Sequence, residues 1–169
     1  MLKRMLHQVT GLIALAFLGL AQNSFAEGPR PLAVIVSGNA EFSSTKKINA
    51  EELSLIYWRK KQYWQGGVRI HPVNLQAEHP LRLYFSKVVL DSTPDEQSNY
   101  WNGLYFHGTA PPYSVQSEEA VLRYVASTKG AIGYVDACKV DTRVKPMLWI
   151  VDEKISIAAP ENLNCNNPP

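Results

Sequence analysis

Pro31 to Asn39 reads PLAVIVSGN: five consecutive apolar side chains, Leu32 to Val36, closed by Ser-Gly-Asn. No polar residue alternates with them. A strand of this kind is covered on both faces, so it predicts a sheet with helices on its two sides. The segments that follow decide whether such helices exist.

Residues 41–47 form a polar linker. Asn49 is a good N-cap with Glu52 three residues on, and Ile48 can staple onto Leu53. Leu53, Ile56 and Tyr57 then give one apolar face, predicting a helix over 50–59. Gly66-Gly67 makes a turn, and VRIHPVNL (68–75) reads as a second strand, with Pro72 placing it near an edge or a bulge. Pro80 suits a first helical position, and Leu81, Tyr84, Phe85 and Val88 predict a helix over 80–90.

Thr93 to Glu96 (TPDE) starts another helix, which carries Tyr100, Trp101, Leu104 and Tyr105 and stops at Gly108. TAPPY (109–113) reads as a rigid loop. Ser117 caps a helix over 118–128, with Gly130 as its stop. AIGYVD (131–136) and MLWIVD (147–152) are strands, and the tail is irregular. The order is strand, helix, strand, three helices, strand, strand. It predicts an α/β fold of three layers, a mixed sheet flanked by helices.

The N-terminus has the layout of a secretory signal peptide: Lys3 and Arg4, an apolar run from Val9 to Ala21, and small residues at Ser24 and Ala26. The run is about thirteen residues, whereas a spanning helix needs roughly twenty. Cleavage is expected after Ala26, which places the protein in the periplasm. Residues 27–169 are then one domain on length grounds. Of 17 basic side chains, Lys3 and Arg4 leave with the leader, so the remainder balances the 15 acidic ones. Zero net charge argues against a nucleic-acid or anionic-membrane partner. An oxidising compartment makes a Cys138–Cys165 disulfide the expectation, tying the tail to the domain. Such a closure contributes roughly 3 kcal/mol.

Ile56 to Gly67 (IYWRKKQYWQGG) interleaves aromatic and basic residues in the manner of a nucleic-acid surface. Its position explains it otherwise. Tyr57 belongs to the helix's core face, and Arg59, Lys60 and Lys61 fall in the last turn, where the dipole favours cations. Tyr63 and Trp64 can cover the helix end.

The segment ELSLIYWRKKQYWQGGVRIHPV resembles that of phosphate-type periplasmic solute-binding proteins, x-x-I-F-x-G-K-x-x-x-W-x-x-G-x-x-I-x-P-V. Ile56, Tyr57, Lys60, Trp64, Gly67, Ile70, Pro72 and Val73 stand at its marked positions. LRLYF with Phe85, and SEEAVLRYVASTKGAIGYVD, are similar to that family's later elements. The likeness covers most of 31–136. It implies a single lobe of the type II periplasmic-binding-protein fold, a non-catalytic solute-binding role in ABC transport, no cofactor, and a monomer. The Ser-Gly-Thr phosphate grip is absent: the equivalent stretch reads NLQAEHP (74–80), and Arg82 lies inside the next helix.

Strand-end loops are the default binding positions of an α/β sheet. Ser37, Gly38 and Asn39 follow the first strand, and in the family a small-residue loop here offers backbone N–H groups to an anion. Arg82 near a helix start can meet an oxyanion with a bidentate fork, and His79 can donate to the same anion. The expected ligand-binding set is therefore Ser37, Gly38, Asn39, His79 and Arg82, for a small oxyanion or polar solute. Tyr134 is expected in the core. His71, His79, His107 and Glu78 fit no metal spacing, and no catalytic motif is present. The competing expectation is a ligand-less interaction module that engages a membrane transporter or sensor protein.

Overall fold

The computed structural model describes residues 31–39, 48–163 and 165. The expected leader over 1–26 and the whole linker over 41–47 lie outside the described residues. Among these, six strands make one mixed sheet: β1 (Leu32–Ser37), β2 (His71–Leu75), β3 (Tyr113–Val115), β4 (Ala131–Asp136), β5 (Val144–Val151) and β6 (Lys154–Ser156). Their order is β3-β2-β4-β1-β5-β6. β2 runs parallel to β3 and β4, whereas β1 is antiparallel to β4 and β5, and β6 to β5.

The helices are α1 (Ala50–Tyr57), α2 (Pro80–Leu90), α3 (Ser98–Tyr105) and α4 (Glu118–Ser127). β1 is central, and Leu32 to Val36 are wholly buried, as an unbroken apolar run requires. Gly133 identifies the two faces. A Cβ there would meet Val121 and Val125 of α4 as well as Val73. Tyr134, one residue on, points the other way and stacks on Phe85 of α2, with ring centroids 4.0 Å apart. Strand alternation then puts His71, Val73, Ala131 and Ser37 on the α4 face, and Asn74 and Tyr134 on the α1–α2 face.

Local signals explain most boundaries. Asn49 caps α1 through Glu52 N–H at 2.8 Å, and Ser117 caps α4 through Ala120 N–H at 3.2 Å. The Thr93–Glu96 capping box forms, with bonds of 2.7 and 3.3 Å, but it closes a turn and α3 begins only at Ser98. α3 docks through an aromatic cluster: Trp58 lies 4.7 Å from Tyr100 and 5.9 Å from Trp101.

Several expectations shift. α1 ends at Tyr57, because Arg59 turns into the left-handed region at φ +59° while Lys60 and Lys61 N–H both bond Leu55 O. β2 starts at His71, since Val68 and Ile70 instead close a turn with Trp64 and Gln62. Pro72 sits in an interior strand; pairing with β3 begins only at Val73, so one side stays open where the missing N–H would fall. Two strands were not foreseen. β3 is three residues long beside prolines, and the β5–β6 turn uses Asp152 and Glu153 at positive φ in place of glycine. β5 also reaches back through Pro146, which lies at a register shift against β1. Cys138 and Cys165 form the disulfide.

Candidate functional site

The carboxyl end of β2 leads directly into α2. His79 is the N-cap, its Nδ1 accepting the Leu81 N–H at 3.2 Å, and Pro80 follows as the first helical residue. Arg82, Phe85 and Ser86 fall on the face turned inward and are buried. Arg82 is 7% exposed, and its Nη2 donates to Gln97 Oε1 at 3.1 Å. Gln97 Nε2 in turn donates to Ser92 O at 3.1 Å. The guanidinium thus ties α2 to the turn before α3.

The Tyr134 hydroxyl beside it donates to Asn74 Oδ1 at 3.3 Å and accepts the Leu75 N–H at 3.4 Å. Burial pushes Tyr134 up to about 12, against the pull of the Arg82 cation and the Leu75 N–H. Burial also raises Tyr57 well above 10.0, with Tyr134 adding and Arg82 opposing. Arg82 Nη1 and Ser86 Oγ are buried without a hydrogen-bond partner.

The rest of the expected ligand set lies elsewhere. Ser37 Oγ donates to Ala126 O of α4 at 3.5 Å. The Gly38 N–H donates to Arg143 O at 2.9 Å, and a Cβ there would sit 3.2 Å from the carbonyls of Thr142 and Arg143. Asn39 is exposed. Because β1 is antiparallel to β4 and β2 is parallel to it, β1 finishes at the end where β2 begins. Arg82 follows the opposite end, and it lies on the opposite face from Ser37. The structure therefore does not bring Ser37, Gly38 and Asn39 together with His79 and Arg82. The expectation of one shared pocket is corrected by the reversed direction of β1.

Another group gathers at the end where β1 stops. Arg59 Nη1 donates to Ile70 O at 3.3 Å, and its Nε is buried without a partner. Ile70 is flanked by Arg69 and His71. Burial lowers the Arg59 pKa first, and the Arg69 charge lowers it further. His71 is held below 6.5 by burial, then by Arg69 and Arg59. Tyr124 of α4 is raised above 10.0 by burial and then by Tyr113, with Arg59 opposing, so its hydroxyl keeps its proton at neutral pH. Tyr113 stacks on Tyr124 at 5.3 Å.

No carboxylate forms an ion pair with Arg59, Arg69 or His71 among the described residues. The sequence reading passed over these residues. The one available signal was Arg69 and His71 two apart in extended chain, hence on one side.

Gly130 sets the frame of this group. It adopts φ +84°, and a Cβ would lie 2.1 Å from Arg69 O. Its carbonyl accepts both His71 N–H at 3.1 Å and Trp64 Nε1 at 2.9 Å.

Two solved structures superpose on this architecture. One, described as a phosphate ABC-transporter substrate-binding protein with bound phosphate, from Clostridium perfringens, has a TM-score of 0.56 at 18% identity, covering 70% of this chain and 45% of its own. The other, an ABC-type phosphate transport receptor from Vibrio cholerae, has a TM-score of 0.54 at 18% identity with the same coverage of 70% and 45%. The chain has a periplasmic-binding-protein-like fold. It spans less than half the length of either protein. No family model matches the sequence, and no curated protein matches it.

Proposed function

We propose that this chain is an exported, non-catalytic solute-binding protein whose ligand is a small oxyanion. The observation that supports this reading most is the fold it shares with a protein that holds phosphate. Fold alone does not carry a ligand across, so the chemistry has to come from this chain's own cations. A membrane transporter is the partner this reading implies.

The second reading, an interaction module that engages a sensor or membrane-complex protein, is favoured by two observations. The Gly38 amide is committed to Arg143 O, and Arg82 is committed to Gln97. Exposed Tyr105 and Phe106 at the end of α3 would suit a protein partner.

Thermal unfolding of the chain with and without millimolar phosphate or sulfate separates the two. A ligand that binds only the folded state raises the midpoint in proportion to its saturation. A raised midpoint at constant ionic strength is expected. An unchanged midpoint with every oxyanion overturns the solute-binding reading in favour of the interaction module.

A further inference from the structure

The aromatic–basic run IYWRKKQYWQGG does more than end a helix. After Tyr57 the backbone turns left-handed at Arg59, and the guanidinium folds back over the sheet end to reach Ile70 O. Arginine gains nothing from positive φ by itself, so the turn is held by the Lys60 and Lys61 N–H bonds to Leu55 O. Trp64 and Gly130 fix the facing segment, so that Arg69 and His71 flank the same carbonyl.

Two guanidinium groups and an imidazole thus act on one another, and among the described residues no carboxylate pairs with them. Cations held within reach of each other repel, and an anion placed between them would relieve that repulsion; the buried Arg59 Nε offers it an unbonded donor.

We propose that Arg59, Arg69 and His71 form a binding site for a doubly charged tetrahedral oxyanion at the end of the sheet where β2 begins. The proposal rests on the solute-binding reading and names the site that reading lacks. Guanidinium forks suit the edges of a sulfate or phosphate. Protonation gives His71 a positive charge and a second N–H donor, so binding strengthens with acidity. Arg69 and Arg59 are the charged groups that act on His71, and Arg69 and Tyr124 are those that act on Arg59.

Sulfate is the probe of choice, because it does not titrate between pH 5 and 8. Calorimetric titration of the whole chain with sulfate should give an affinity that falls roughly tenfold in Arg69→Gln, as expected for loss of one charge-assisted contact. Arg69 is exposed, so this variant should fold. Lys154→Gln, on β6 at the far edge of the sheet, should bind as the parent does. The parent's affinity should rise from pH 7.5 to 5.5, and His71→Gln should abolish that rise.

Sulfate binding that is undiminished in Arg69→Gln and Arg59→Gln would overturn the site while leaving the solute-binding reading intact. An equal loss in Lys154→Gln would also overturn the site, reducing the effect to net charge. No sulfate or phosphate binding by the parent chain would overturn both.

Discussion

Each of the two faces of the sheet holds arginine that no carboxylate pairs with among the described residues, yet the placements are opposite. On the α1–α2 face, Arg82 sits among Phe85, Tyr134 and Gln97, with a neutral amide as its partner. A cation so enclosed acts as a brace between α2 and the turn before α3. At the opposite end and on the α4 side, Arg59 and Arg69 stand with His71, and Arg69 is open to solvent. A guanidinium in a closed network is judged by stability, and one at an open sheet end by what it attracts.

The largest effect should come from Gly130→Ala. The added methyl would meet Arg69 O on a backbone already at φ +84°, so the segment carrying Arg69 and His71 must move. A loss of about 4 kcal/mol in urea unfolding is expected. A loss below 1 kcal/mol would mean that the sheet end is pliable.

Arg82→Ala should follow, at about 3 kcal/mol, from the cavity and the orphaned Gln97 oxygen. If the comparison of the two faces is right, the remaining folded fraction keeps its sulfate affinity. Loss of affinity without loss of stability would move the site to Arg82.

pH separates the faces more gently. Tyr57 and Tyr134 have folded-state pKa values above the ordinary 10.0. The unfolded chain therefore releases their protons first, and stability present below pH 10 falls as pH rises towards 12. His71 works in the other direction. Its folded pKa lies below 6.5, so the stability it contributes is complete above pH 6.5 and declines as pH falls beneath that. Its exposure keeps this effect small. Unfolding midpoints across pH 5 to 11 read both limbs, and a flat alkaline limb would contradict the enclosed tyrosines.

The smallest expected effect is Arg69→Gln without anion, within about 0.5 kcal/mol of the parent as for most surface changes. A larger loss would make Arg69 a structural residue.

Much of the fold was legible in the chain because its signals are local. The Leu32–Val36 run, the Asn49 and Ser117 caps, Pro80 at a helix start and Gly130 at a helix stop each act within a few residues. β3 and β6 escaped because a three-residue strand beside prolines and a hairpin turn without glycine carry no such signal. The candidate site was harder. Ser37, Gly38 and Arg82 each had the chemistry for an anion, but nothing in their spacing states which way β1 runs relative to β2.

The amino-acid order by itself determined that the helices exist, which strand is buried and the core face of α1, since period and caps are short-range physics. Only the tertiary structure decided that Arg82 closes inward while Arg59 and Arg69 meet His71. Strand direction and order arise from packing distant segments together, and charges repel or attract only once that packing has set the distances between them.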